Sequence, residues 1–363
     1  MPTVAETSAY VVRLGHDTLA VDQFTRVGDR LEGALVTRYP QAVVTHYLVT
    51  LNPDGTVSLV ESSRRLADGG LVPPGNVRST TVTYTPDSAI TRQQRDTLVT
   101  TRVAAAMAFP YINYSMAFMQ LPIAALRASN RDSARYAILP VGGGTTTPMS
   151  VARRDLGRYT VTIGAYQHDV RTNGRGVVQS VDGTGTTQQF IAQRQSSADV
   201  SGIASAWSAL ARMPLSSRDT VRATIGSTRL WVDYGRPAAR GRRVFGESGV
   251  LNDTLWRTGA NAATQFRTSA PLTMAGHTVP AGTYTLWTLA IPGRSQLIIN
   301  RQTGQWGTVY DPAQDLIRVP LARTELLSVV ERFTIAIDAV GANGGVLRLR
   351  WDTTEWSVPF TAP

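Results

Sequence analysis

The chain has 363 residues, and its 36 basic residues, all arginine, stand against 26 acidic ones for a formal charge of +10, with neither lysine nor cysteine anywhere. Those absences exclude a Schiff-base lysine, a complete phosphate-loop cradle, a thiolate nucleophile, a disulfide frame and cysteine-held iron–sulfur or haem groups. The length allows about two domains, and the arginine excess favours acidic partners: nucleic acid, anionic lipid headgroups or an acidic protein face.

In chain order, the opening MPTVAETSA has neither a basic nor an apolar leader region, so the expectation is either a cytoplasmic chain or one whose leader lies outside this numbering. From Tyr10 to Val103 the residues alternate and are rich in Val, Thr and Tyr, the period-2 signal of half-buried strands, with a hairpin turn at Asn52-Pro53-Asp54-Gly55. The stretch from Val103 to Leu126 carries no charge. Pro110 and Pro122 argue against an ordinary spanning helix there. Two readings stand for it: helix packed on a sheet face, or an exposed surface of Met107, Phe109, Met116, Phe118 and Met119 that meets lipid or another subunit.

The run VGGGTTTP reads as a loop, and a second hairpin bends at Asn173-Gly174. Ile203, Trp207 and Leu210 fall at helical spacing behind Asp199, and PLSSRD then reads as a linker. Short, turn-punctuated strands follow to the C-terminus. The expected fold is therefore mainly β in two domains. Residues 1–213 form an antiparallel meander sheet with helical segments near 103–128 and 198–212, and residues 220–362 form a β-sandwich or jelly-roll-like domain.

The four histidines, His16, His46, His168 and His277, show no metal-binding spacing, and no metal or cofactor is expected. Ser248 in FGESGV lacks the spacing of a nucleophile elbow. Asp253, Asp311 and Asp315 read as turn caps before they read as an acid–base pair or oxygen-ligand site. Arg236, Arg240, Arg242 and Arg243 lie within eight positions and form either a clamp for phosphate or carboxylate or a solvated loop stacked on Tyr234. No aromatic platform or reading module for nucleic acid accompanies the charge.

The motifs DYGRPAARGRRVFG, LWRTGANAAT, VPAGTYTLWTL, INRQTGQWGT and LRLRWDTTEWSVPF, in that order, resemble the bacterial family known as domain of unknown function 2911 over about residues 222–362. The resemblance implies a β-rich bacterial domain, often exported, with no activity assigned to the family. Ala262 stands where the family pattern has Glu, which would silence any activity that needs that carboxylate. Tyr234, Arg236, Arg242, Trp256, Arg257, Asn261 and Trp306 match the pattern and are the candidate ligand or partner residues. Trp256, Arg257, Asn261 and Trp306 form either one wall of a cleft or a pinned structural turn.

The leading expectation is a non-enzymatic interaction or scaffold module outside the cytoplasm, an extrinsic subunit of a photosynthetic or respiratory membrane complex. It would dock through arginines and through Phe109, Met116, Phe118 and Met119. The rival is a hydrolase or small-ligand binder with its cleft in the C-terminal domain.

Overall fold

A computed structural model of the chain describes residues 5–184, 189–246 and 249–363. The chain is mainly β and divides into two compact units, Met1–Met213 and Pro214–Pro363.

The first unit opens with β1 (Glu6–Leu14), β2 (Asp17–Val27), β3 (Arg30–Thr37), β4 (Val43–Leu51) and β5 (Val57–Leu66). It continues with β6 (Ser79–Tyr84), β7 (Ser88–Gln94), β8 (Leu98–Ala104), β9 (Ala108–Tyr111) and the helix α1 (Met116–Ala128). Then come β10 (Ser133–Pro140), β11 (Thr147–Asp155), β12 (Arg158–Ile163), β13 (Tyr166–Thr172), β14 (Val178–Asp182), β15 (Ile191–Gln195) and α2 (Val200–Ser208).

All fifteen strands make one sheet, running from β8 back to β1, across to β15 and back down to β9. Every neighbouring pair is antiparallel except β9 with β10. The two edge strands, β8 and β9, are joined by residues 105–107 alone. Such a link spans at most about 15 Å, whereas fifteen strands laid flat would be roughly 70 Å wide. The sheet is therefore rolled, and its two edges approach each other where that link sits.

The two faces of the rolled sheet carry different helices. Tyr10, Asp22, Leu35 and Thr45 lie opposite one another across β1 to β4 and share a face. α1 packs on it against β2, β9, β10 and β11, with Phe118 tilted against Tyr47 at 5.1 Å. On the other face Val21 and Val36, with Val11 and Val44, meet Ile203, Ala204 and Trp207 of α2.

The uncharged stretch is thus a short strand followed by a helix rather than helix throughout, because Pro110 suits a strand at the sheet edge and α1 begins only after Ser115. Phe109, Met116, Phe118 and Met119 are buried, so the expectation that they form a partner or membrane surface is corrected: they are core. α2 stops at Ser208, and Leu210 lies beyond it, exposed. No helix among the described residues is long and apolar enough to cross a membrane.

The second unit contains β16 (Ser217–Ile225), β17 (Thr228–Arg236), β18 (Thr254–Trp256), β19 (Thr264–Thr268), β20 (Leu272–Met274) and β21 (His277–Val279). β22 (Gly282–Ala290), β23 (Gln296–Asn300), β24 (Asp315–Pro320), β25 (Ala322–Val340) and β26 (Gly344–Thr361) complete it. One sheet runs β16-β17-β19-β22-β23-β24 with β18 also on β22, and the other runs β21-β20-β26-β25. They form a sandwich over one core, centred on Trp256, which stacks on Trp351 at 5.6 Å and meets Phe333 edge-on at 4.7 Å.

Candidate functional site

The turn after Trp256 is held from three sides. Trp256 is buried, and its Nε1 donates to Gly259 O at 2.9 Å, so the indole closes the turn from the core side. Thr258 and Asn261 take positive φ values of 51° and 66°; Asn tolerates this, whereas Thr is held there by its buried hydroxyl, 2.8 Å from that of Thr288. On the outer side Arg257 Nη1 donates to Gly307 O at 3.0 Å, and Gly307 N donates to Asn261 O at 3.0 Å. A Cβ on residue 307 would fall 1.8 Å from Arg257 Cδ, so only glycine permits this approach.

The predicted wall is consequently split. Arg257, Asn261 and Trp306 come together around Gly307, with Trp306 57% exposed and residue 262 bridged to it. Trp256 faces the opposite way, into the sandwich, and is not part of that wall. Ala262, where a Glu is expected, is half-buried beside Trp306.

The arginine-rich loop is built into the framework. β25 slips its register on β26 after Glu325, meets it once at Val330 opposite Asp352 and resumes the ladder at Thr334, and along Glu331–Phe333 it also bonds residues 237–239. Arg236 ties that corner, donating to Phe333 O at 3.1 Å, Asp219 Oδ2 at 3.0 Å and Thr334 Oγ1 at 2.8 Å. Arg242 donates to Ala238 O and Ala239 O, both at 2.9 Å, and Arg240 Nη2 to Leu215 O at 2.8 Å. Arg243 Nε reaches Phe245 O at 3.0 Å.

Burial, with the neighbouring Arg240 second, lowers Arg242 to about 10, which leaves it charged at neutral pH. Tyr234 is fully buried, its hydroxyl accepting from Ile335 N at 3.0 Å, so it stacks with no loop arginine. The clamp for an external anion is corrected accordingly: these guanidinium groups satisfy carbonyls that an irregular chain leaves outside any ladder.

Asp311 caps a short turn through Ala313 N at 2.9 Å. Asp315 accepts from Asn300 Nδ2 at 2.8 Å and Tyr310 Oη at 2.7 Å and pairs with Arg318. Ser248 lies outside the described residues. His168 is buried with its pKa lowered by desolvation, while His16, His46 and His277 are exposed.

Two features escaped sequence reasoning. Asp22 is fully buried in β2 and accepts from Tyr47 Oη at 2.7 Å, Ser115 Oγ at 2.9 Å and the α1 amides of Met116 at 2.8 Å and Ala117 at 3.4 Å. It caps a helix that has no side-chain cap of its own. Burial pushes its pKa up to about 6 against the pull of those four donors. An aspartate at an inward position of LAVDQF was the available signal. The second is a projection at the β25 corner: nine steps of β25 stand against four of β26, and Leu327 is fully exposed with Val329 61% exposed. Adjacent apolar residues in LLSVV, breaking the alternation, marked it.

Residues 216–360 match the model of the family described as Protein of unknown function (DUF2911). No curated protein matches the chain. Among solved structures, a DUF1089 family protein from Pseudomonas aeruginosa is similar over 46% of this chain and 90% of its own, at 14% identity and a TM-score of 0.35. A beta-barrel-like protein of domain of unknown function DUF1849 from Brucella abortus is similar over 53% and 96%, at 12% identity and the same TM-score of 0.35.

Proposed function

We propose that this protein is a non-catalytic interaction module whose C-terminal unit docks another protein subunit through the β25 projection. The observation behind this reading is the exposure of Leu327 and Val329 on a corner that the arginine ties hold in place. Holding apolar side chains in water on a fixed backbone gains no folding energy, but it presents a preordered anchor whose burial favours association. The net charge of +10 adds attraction to an acidic partner surface. An extrinsic subunit of a bacterial membrane complex, photosynthetic or respiratory, on its extracytoplasmic side, is the concrete version.

The test is capture of a stoichiometric subunit from detergent-solubilised native membranes by the tagged full chain. A Leu327→Ser, Val329→Ser double variant should lose the capture, and raised salt should weaken it. Recovery of the chain only as a free monomer, or capture indifferent to both substitutions, would overturn the reading.

A second reading, a small-ligand binder or hydrolase, draws on the exposed Trp306 ring held beside Arg257 and Asn261. Its test is a fluorescence titration with acetate and citrate. A saturable change that disappears in Trp306→Phe favours it, and no saturable change removes it.

A further inference from the structure

β5, β6 and β7 bring three arginines into one row. The ladders close at Ser63 with Ser79 and Ser79 with Gln94, and Arg64, Arg78 and Arg95 follow at that end, where Arg64 N donates to Arg78 O at 2.7 Å and Arg78 N to Gln94 O at 2.8 Å. By strand alternation Arg64 shares the face of Ser62 and Thr80, and Arg95 meets Gln93 through the bond from its guanidinium to Gln93 Oε1, with neighbouring strands about 4.8 Å apart. Like charges set opposite one another in a sheet repel, so the row calls for a counter-charge.

The protein's own groups supply only part of it. Asp96 accepts from Arg78 Nη2 at 3.2 Å and from Gly75 N at 2.8 Å. Arg95 donates to Gly75 O at 3.0 Å and to Gln93 Oε1 at 3.3 Å. The half-buried Arg64 guanidinium has no hydrogen-bond or carboxylate partner among the described residues, and burial lowers its pKa. Arg78 Nε and Gln93 Nε2 are buried and unpartnered, and Gln93 is only 6% exposed.

Every unmet group in this cluster is therefore a donor. Gly143, at φ +91°, brings the bare β10–β11 loop to the same place, where a Cβ would stand 2.9 Å from Gln93 Nε2. Three arginines less Asp96 leave two positive charges, which a phosphate group, carrying about −1.5 to −2 at neutral pH, matches.

We propose that Arg64, Arg78, Arg95 and Gln93 form a binding site for a phosphate group, with Arg64 as its main charge partner. Guanidinium forks fit tetrahedral oxyanions, and a bound phosphate would accept from Arg78 Nε and Gln93 Nε2 as well.

The test is thermal unfolding and titration calorimetry of the full chain with inorganic phosphate up to about 20 mM, with chloride holding the ionic strength fixed. A saturable rise in Tm is expected for the wild type. Arg64→Gln should fold, showing the wild-type Tm or higher without phosphate, and bind phosphate at least tenfold more weakly. Gln93→Leu, which leaves the charge untouched, should also weaken binding. Glycerol 3-phosphate separates two sources: equal affinity assigns the site to the free ion, and tighter binding of the ester assigns it to a phosphate monoester. Absence of saturable binding, or equal binding by wild type and Arg64→Gln, would overturn the proposal.

Discussion

The centres of the two units solve different problems with different chemistry. In the N-terminal unit a single carboxylate, Asp22, gathers four donors from β4 and the start of α1, and so fixes a buried helix against a sheet. In the C-terminal unit packed rings, the stacked Trp256 and Trp351 with Phe333 edge-on to both, fill the sandwich while arginines tie irregular chain around them. A polar centre carries direction and responds to pH; an aromatic centre carries area and does not.

The largest effect expected follows removal of a ring. Trp256→Ala loses two aromatic contacts and the bond to Gly259 O, and should destabilise the C-terminal unit by about 4–5 kcal/mol. Six of the seven tryptophans lie after residue 213, so urea unfolding followed by tryptophan fluorescence reports that unit. An unchanged midpoint would show that the rings do not carry it. Asp22→Ala is the counterpart. It removes the acceptor of Tyr47 and of two helix amides and leaves Ser115 only its longer bond to Tyr47 Oη, and should cost the N-terminal unit about 3–4 kcal/mol, read by far-ultraviolet circular dichroism.

The pH response sharpens the contrast. The pKa of Asp22 is about 6 when folded against an ordinary 3.8. Between these values the folded state binds more protons than the unfolded one, so stability falls as pH rises from about 4 to about 6. The full change attributable to this group is about 3 kcal/mol. Asp22→Asn, which keeps an acceptor for the helix amides, should abolish that slope in the N-terminal unit and leave the C-terminal one as it was. A slope that survives the substitution would assign the titration to another group.

The architecture was legible because period-2 alternation and turn residues survive in most strands, and because most sandwich strands are short and punctuated; β25 and β26, at 19 and 18 residues, are the exceptions to the expected short strands. What was not legible depends on which rung faces which. AFPY and MAFMQL are both apolar and uncharged, and only the sheet's rolling decides that they are covered rather than offered to a partner. The loop arginines looked like a clamp because spacing reports that they are close, not that β25 detours past them and leaves carbonyls to be met. Trp256 and Trp306, both matched to one family pattern, lie on opposite sides of one turn. Arg64, Arg78 and Arg95 are far apart in sequence and meet only through strand register.

Gly307→Ala tests the link between the aromatic centre and the surface, and carries the smallest effect of these predictions. The new methyl would overlap Arg257 Cδ and the carbonyl of Asn261, so the loop bearing Trp306 must move off the turn. Arg257 Nη1 then loses Gly307 O, while Trp256 keeps its bond to Gly259 O on the far side. A cost of about 1–2 kcal/mol is expected, that of one strained approach and one or two exchanged hydrogen bonds. Solvent accessibility of Trp306, followed by acrylamide quenching, should rise by more than the stability loss alone explains. If accessibility and stability are both unchanged, the turn is held from the core alone, and Arg257 is free of the structural duty assigned to it here.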